Sequence, residues 1–144
     1  MPQLGFHAVV FDLDGVITKT ALVHSQAWKN MFDDFLRKRA EESGEPFKEF
    51  THENDYLNYV DGKPRYEGVK SFLESRGIEL PMGDPTDSPE KETICGIGNR
   101  KNHVFNETLK KNGVEVFEST VALIKEMKRR DVRIGVASSS KNCL

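Results

Sequence analysis

The stretch that most constrains the fold is residues 6–20, FHAVVFDLDGVITKT. Ala8–Phe11 is a short apolar run, which is typical of a strand buried on both faces of a parallel sheet. The run ends in Asp12 and Asp14, followed by Gly15, which lets the backbone turn without a Cβ penalty. Neighbouring carboxylates at the end of a buried strand repel each other and lose hydration, so they indicate a cation or a reacting group. Open α/β sheets bind ligands at this edge, so we expect an acidic, cation-dependent site here.

Three interpretations of this acidic stretch are considered from the residues alone. Asp and Gly are common turn residues, so it can be a solvated turn. A calcium loop of the EF-hand kind also begins Asp-x-Asp, but its required Gly and Glu are replaced by Ile17 and Val23, which excludes it. The third is a phosphotransferase loop with Asp12 as nucleophile and Asp14 as general acid and base. The turn and the phosphotransferase loop stay open.

Hydrophobic spacing predicts a largely helical middle between two strands. The expected elements after the first strand are a helix from Val23 to Gly44, a helix within residues 47–59, a turn at 61–64, a short helix closed at Gly77, a helix from Asn99 to Gly113, a helix around 121–127 with a basic end, and a strand at 132–137. Ser88, Pro89 and Glu90 have the pattern of a helix N-terminus. The Gly-x-Gly at residues 96–98 lacks a third glycine and follows no clear strand, so it gives dinucleotide binding little support.

Composition narrows the classes of function. Lys and Arg number 21 against 23 Asp and Glu, so nothing indicates electrostatic binding to nucleic acid or to an anionic membrane. Apolar stretches are too short to cross a bilayer, and the first residues lack signal-peptide features. Cys95 and Cys143 form no zinc or disulfide pattern, which predicts reduced thiols in a cytoplasmic protein.

The stretch FDLDGVITKTALVHSQAWK resembles the first motif of the haloacid dehalogenase superfamily, and most of all its β-phosphoglucomutase branch. The resemblance implies that Asp12 attacks phosphorus to form an aspartyl phosphate. Asp14 would protonate the leaving oxygen and later deprotonate the incoming hydroxyl. It also implies Mg²⁺ held by the Asp12 carboxylate, a phosphoryl oxygen and the Asp14 backbone carbonyl. The substrate would be a phosphorylated small molecule of the sugar-phosphate kind, and either water or a sugar hydroxyl would take the phosphoryl group, as in a phosphatase or a mutase.

The last residues, IGVASSSKN, are similar to the second motif of that family. Hydroxyls, backbone N–H groups and a lysine at a strand end can form a phosphate cradle, here from Ser138 and Ser139 onward. The resemblance implies that Ser138 holds the transferring phosphoryl oxygen. It also implies that Ser140, Lys141 and Asn142 contact the sugar phosphate.

Further site residues are implied by resemblance within the helical middle. The stretch DGKPR is similar to a substrate loop of the branch, in which Gly62 and Arg65 match. Asp61 stands where the branch carries Lys, and this departure puts glucose phosphate as the substrate in question. His24 stands where the branch has a histidine implicated in closing the site, and a position on the helix surface is the equal alternative.

The resemblance implies an α/β fold with a Rossmann-like core, residues 1–20 and 107–144, interrupted by a helical cap, residues 21–106. The core would be incomplete, because its C-terminal strands and the Lys and acidic pair they carry are missing from the 144 residues. We therefore expect a truncated form with little activity. The rival hypothesis is a non-catalytic helical interaction or binding module derived from such an enzyme. The helical majority favours the module, and the presence of Asp12, Asp14 and Ser138 together argues against it.

Overall fold

The computed structural model describes residues 5–140 of the chain. Their elements are, in order, β1 (Ala8–Asp12), α1 (Ala21–Ser43), a π-helix (His52–Val60), α2 (Arg65–Ser75), α3 (Ile94–Asn112), α4 (Glu118–Arg129) and β2 (Arg133–Ala137). This mixture of helices with a short parallel sheet confirms the predicted α/β class. Lys141, Asn142 and Cys143 lie outside the described residues.

The chain divides into two compact units, residues 1–22 with 113–144, and residues 23–112. The first carries both strands and α4, and the second is entirely helical apart from its loops. A discontinuous unit interrupted by a helical one is the organisation that the family resemblance implies. The assignment of the two units as core and cap, with its boundaries at residues 20 and 107, stays a prediction.

In the first unit, β1 and β2 pair in parallel, with Asp12 opposite Ala137. The ladder continues for one more bond, since the Leu13 N–H donates to the Ala137 carbonyl at 3.0 Å. The expectation that β1 is buried on both faces is wrong: Phe11 is buried, but Val10 is 69% exposed. Burial on both faces requires a covering element on each, whereas α4, on β2, is the helix that packs against the sheet within residues 5–140.

In the second unit, the apolar stripe of α1 packs against the other helices. The helix ends near Gly44 as predicted, where the glycine has φ +73°. Phe32 is fully buried, and its ring centroid lies 5.0 Å from that of Phe50 and 4.2 Å from that of Phe72. The buried cluster comprises Trp28, Met31, Phe32, Phe35, Leu36, Phe50, Val60, Val69, Phe72, Leu73, Ile94 and Ile97. Its aromatic content explains how a chain of modest hydrophobicity forms a buried core.

The helix expected within residues 47–59 is present as the π-helix. Its first turn shows the wider hydrogen bonding of that form, since the Tyr56 N–H donates to the Thr51 carbonyl at 3.0 Å. Asp55 fastens it to the unit, because its buried carboxylate accepts from the Thr51 N–H at 2.8 Å and from the Arg76 guanidinium at 3.1 Å. This helix leads directly into the turn at Asp61.

The N-terminus of α3 differs from the prediction. The helix begins at Ile94 rather than Asn99, and Ser88–Glu90 lie in the preceding loop. The cap is Thr93, whose hydroxyl accepts from the Gly96 N–H at 2.9 Å and donates to the Asp87 carboxylate at 2.8 Å. This cap depends on Asp87, which lies six residues before Thr93 in the loop. The local Ser-Pro-Glu pattern contains no information about that contact.

Gly96 is explained by close packing in this cap. A Cβ at this position would overlap the Lys91 carbonyl oxygen and lie 3.0 Å from that of Ser88. The first glycine of the Gly-x-Gly is therefore explained by packing between the loop and the helix, and a dinucleotide ligand is not required to explain it.

Two expectations from composition are met as far as the structure extends. None of the helices within residues 5–140 is long and apolar enough to span a membrane. Cys95 is a free thiol, and its burial raises its pKa above the ordinary range.

Gly96→Ala should destabilise the helical unit by about 1–3 kcal/mol, because the added methyl group meets backbone carbonyls that cannot move away without breaking the loop. Urea unfolding followed through the fluorescence of Trp28, the single tryptophan, measures this. Asn112→Ala, at an exposed position on the same helix, is the control and should change stability by less than about 0.5 kcal/mol. Equal stabilities of the two variants would contradict the packing role of Gly96.

Asp87 should make stability depend on acid pH. Hydrogen bonds from the Lys91 ammonium, the Asp84 N–H and the Thr93 hydroxyl lower the pKa of Asp87 to about 2. Its unfolded pKa is about 3.9, so the stabilisation is complete above that value and is lost as the pH falls through about 2. In urea unfolding between pH 2 and 7, Asp87→Asn should flatten the acid limb of the stability curve. Asp34→Asn, at an exposed position, should retain the wild-type slope.

Candidate functional site

The two sequence motifs meet at one edge of the β1–β2 sheet. Because the strands are parallel and Asp12 lies opposite Ala137, both following loops start at the same edge. The Ser138 hydroxyl donates to Oδ2 of Asp14 at 2.9 Å, and the Ser140 N–H donates to the Ser138 hydroxyl at 3.0 Å. The structure thus brings together the residues of both motifs, while their catalytic roles stay predictions.

A tight loop after β1 presents the second aspartate. The Leu13 carbonyl accepts from the N–H groups of Ile17 and Thr18, both at 3.0 Å, and the Gly15 N–H donates to the Thr18 carbonyl at 2.8 Å. Gly15 has φ +84°, and a Cβ there would lie 3.2 Å from that of Ala21. The predicted role of this glycine as the turning residue is confirmed.

Asp14 is held by hydroxyl groups on both of its carboxylate oxygens. Thr20 donates to Oδ1, and Ser138 donates to Oδ2. Thr20 is buried, and its hydroxyl lies 2.7 Å from that of Thr18. These contacts keep the Asp14 carboxylate in one orientation. Thr20 was missed in the sequence analysis, although the Thr-x-Thr directly after the acidic motif is a signal that could have identified it.

Asp12 has a contrasting environment. Its side chain is exposed at the end of β1, and within residues 5–140 its carboxylate forms neither a hydrogen bond nor an ion pair. A carboxylate with unoccupied lone pairs at a strand end can attack an electrophile or bind a cation. The difference between the two aspartates agrees with the different roles that the family resemblance implies for them.

A magnesium ion suits this donor set. Mg²⁺ takes one or two protein carboxylates and completes its shell with phosphate oxygens and water. Asp12 offers such a carboxylate, whereas the Asp14 side chain is occupied by hydroxyls, which leaves its backbone carbonyl as the donor that the resemblance implies. Across the described part of the chain no group of three or more His, Cys, Asp or Glu side chains is arranged to hold a metal by itself. The Asp12 carboxylate and the Asp14 backbone carbonyl are therefore the groups that would hold such an ion.

His24 lies in the helical unit, where its side chain contacts α3. Its half-buried ring stacks on Phe105 at 4.0 Å between centroids, and Nδ1 lies 2.8 Å from the Lys101 ammonium. Lys101 is 3% exposed and lies over the rings of Trp28 and Phe105, at 5.2 and 4.7 Å. This buried lysine was also missed, although its place four residues before Phe105, on the inner face of α3, is a usable signal.

The turn that carries Gly62 and Arg65 begins at the end of the π-helix. The Asp61 N–H donates to the Tyr56 carbonyl at 2.9 Å, and Gly62 has φ +72°, a conformation that favours glycine. The Arg65 guanidinium donates to the Asn102 side-chain carbonyl at 3.0 Å. Of the predicted phosphate-binding residues in the other unit, Ser139 is exposed, and Lys141 and Asn142 lie outside the described residues.

Comparisons with known proteins agree with the two motifs. A model of the haloacid dehalogenase-like hydrolases matches residues 6–143. A Mycobacterium bovis protein named β-phosphoglucomutase is 47% identical over 135 residues, which cover 94% of this chain and 52% of that protein. A β-phosphoglucomutase structure from Clostridium difficile is 25% identical with a TM-score of 0.64, covering 95% of this chain and 53% of that one.

A further solved structure, of an archaeal β-phosphoglucomutase from a hyperthermophilic Pyrococcus, is 26% identical with a TM-score of 0.58 over 94% of this chain and 53% of that one. This chain spans about half the length of the curated relatives that it matches. The resemblance inferred from residues 11–29 and 134–142 is confirmed by these matches.

Thr20→Val should destabilise the loop around Asp14. The nearly isosteric valine lacks the hydroxyl group that donates a hydrogen bond to the Asp14 carboxylate. A lost hydrogen bond to a charged group costs about 1.5–3 kcal/mol, which makes local opening of the loop more frequent. The backbone amides of Leu13 and Thr18 should therefore exchange with deuterium at least about tenfold faster than in the wild type. Thr20→Ser should restore slow exchange. Thr120→Val, on α4 and with no side-chain hydrogen bond within the described residues, should leave the rates unchanged. Slow exchange in Thr20→Val would contradict the holding role.

Proposed function

This chain belongs to the haloacid dehalogenase-like hydrolases, and we propose that it performs magnesium-dependent phosphoryl transfer through an aspartyl phosphate on Asp12. The supporting observation is the 2.9 Å hydrogen bond between Ser138 and Asp14, beside an Asp12 carboxylate that has no partner within residues 5–140. One strand end then supplies the nucleophile and the acid, and the other supplies the phosphate ligand.

In the proposed reaction, a carboxylate oxygen of Asp12 forms a bond to phosphorus as the bond from phosphorus to the ester oxygen breaks. In this half Asp14 acts in its protonated form and gives the proton to that leaving oxygen, which leaves the carboxylate. In the second half, Asp14 takes a proton from the incoming hydroxyl, whose oxygen attacks phosphorus and releases Asp12. The first half leaves Asp14 deprotonated and Asp12 phosphorylated, as the second half requires. The second half restores the proton of Asp14 and the free carboxylate of Asp12.

The surrounding groups position and screen the reacting atoms. The Ser138 hydroxyl and the backbone N–H groups of the loop after β2 would hold equatorial phosphoryl oxygens, where hydrogen-bond donors stabilise developing charge. When bound by the Asp12 carboxylate and the Asp14 carbonyl, magnesium supplies positive charge that reduces repulsion between the anionic nucleophile and the anionic ester. Asp14, fixed by Thr20 and Ser138, keeps its carboxylate beside the reacting oxygens.

We infer a sugar phosphate as the substrate. This is supported by the identity to proteins named β-phosphoglucomutase and by the matching positions Gly62 and Arg65 in the helical unit. Water as the acceptor would make the protein a phosphatase, and a sugar hydroxyl would make it a mutase. The carboxylate of Asp61, in a loop that otherwise matches that branch, leaves the identity of the sugar open, whereas the phosphate group is common to both reactions.

Beryllium fluoride, which adds to carboxylates as a phosphoryl mimic, tests the nucleophile in this chain. With Mg²⁺ present it should raise the melting temperature saturably, because a ligand that binds only the folded state stabilises it. Asp12→Asn should abolish the rise, and Ser138→Ala should weaken the apparent affinity about tenfold or more. Asp34→Asn removes the same charge at an exposed position and should respond like the wild type. A missing wild-type response, or one retained in Asp12→Asn, would favour the non-catalytic binding module.

A further inference from the structure

Arg65, the first residue of α2, has a neutral partner. Its Nη2 donates to the Asn102 side-chain carbonyl at 3.0 Å, and its guanidinium carbon lies 5.9 Å from the centroid of the Tyr66 ring. Within residues 5–140 it forms no ion pair with a carboxylate. The guanidinium is thus held in place while its positive charge is not cancelled by a contact.

Two other arginines of this chain, Arg76 and Arg129, are held by carboxylates. Arg76 pairs with Asp55 at 3.1 Å, and it also donates to the carbonyls of Lys48 and Glu49. Arg129 pairs with Glu126 at 2.8 Å. A carboxylate partner suits an arginine whose task is to fasten parts of the protein together, because it compensates the charge. The neutral amide of Asn102 does not compensate the positive charge of Arg65, which therefore remains available to bind an anionic group.

The face of α3 next to Arg65 is shaped to receive it. A Cβ at Gly98 would lie 2.7 Å from Cδ1 of Tyr66 and 3.3 Å from Cδ of Arg65, so only glycine permits this approach. Glycine inside a helix costs about 1 kcal/mol relative to alanine, and close packing of this kind offsets the cost. The next residue, Asn99, accepts from the Tyr66 hydroxyl at 2.9 Å and donates to the Asp87 carbonyl at 2.9 Å. Gly98, Asn99 and Asn102 therefore fix the first turn of α2.

We propose that Asn102 is a positioning residue that aims Arg65 at the phosphate group of the substrate. The inference rests on the proposed function and assigns a role to the glycine- and asparagine-rich start of α3, which the reaction itself does not use. A guanidinium has five N–H donors in a planar fork, and the amide occupies one of them, which leaves a face for two phosphate oxygens. A carboxylate in place of the Asn102 amide would occupy the same geometry but would compete with the anionic ligand.

The test uses the whole chain and glucose 6-phosphate as the probe, with glucose as the uncharged control. Arginine side-chain Nε–H resonances, recorded by NMR on ¹⁵N-labelled protein, report binding at Arg65 directly, and Arg65→Ala assigns the signal. The variants are Asn102→Ala, which removes the amide, and Asn102→Asp, which replaces it with a carboxylate. Asn112→Asp adds the same charge at an exposed position of α3 and is the matched control.

We expect glucose 6-phosphate, and not glucose, to shift the Arg65 resonance of the wild type. Asn102→Asp should raise the dissociation constant about tenfold or more, Asn102→Ala by about two- to fivefold, and Asn112→Asp by less than twofold. Trp28 fluorescence verifies that each variant is folded. The proposal is overturned if the wild-type Arg65 resonance does not respond, if Asn102→Asp binds like the wild type, or if both Asp variants weaken binding equally.

Failure of the proposed function has a different signature. Loss of the Asp12-dependent response to beryllium fluoride, with Arg65 still responding to glucose 6-phosphate, would reject phosphoryl transfer and retain the anion site. Conversely, Asn102→Asp should keep the beryllium fluoride response, since that response depends on the strand unit.

Discussion

The parallel pairing of β1 with β2 is the interaction on which the candidate site depends. The two strands are far apart in the sequence, and the opposition of Asp12 to Ala137 makes their following loops begin side by side. The 2.9 Å hydrogen bond from Ser138 to Asp14 is the direct consequence. Side chains alternate between the faces of a strand, so a slip of one residue would turn either aspartate away from the serine loop. Register, rather than any single side chain, therefore brings the two motifs together.

With the strands paired in this register, hydrogen bonding gives Asp12 and Asp14, which have identical side chains, different environments. Both oxygens of Asp14 accept from hydroxyls, whereas the Asp12 carboxylate accepts no hydrogen bond within residues 5–140. A carboxylate held by two donors has lost rotational freedom and is suited to proton transfer along a fixed direction. A carboxylate without donors keeps its lone pairs for phosphorus or a cation. The turn at Gly15 contributes to this difference, because the chain that follows it places the Thr20 hydroxyl against Asp14.

The family, the α/β class, α1, α2 and the two strands could all be predicted from the sequence, because each depends on local periodicity or on a contiguous motif. The start of α3 could not, since Thr93 acts as its cap through Asp87 and through the fit of Gly96 against a loop carbonyl. Exposure of Val10 likewise depends on which elements cover the sheet rather than on the apolar run itself. Lys101 was missed because its partner His24 lies 77 residues away in the sequence, and Thr20 because its hydrogen bond to Asp14 depends on how the loop after β1 closes.

The same physical device recurs in both units of the chain. Asp14 is held by hydroxyls and Arg65 by an amide, so each charged group is fixed by uncharged partners. The ion pair between Asp55 and Arg76, with side chains only 10% and 12% exposed, does the opposite, because each charge compensates the other and the pair fastens the π-helix to the end of α2. On Arg65 the neutral amide fixes the guanidinium without compensating its charge, so that water or an anionic ligand can still bind it. The partner, an amide on Arg65 and a carboxylate on Arg76, thus separates a guanidinium whose charge is available to a ligand from one that holds the fold.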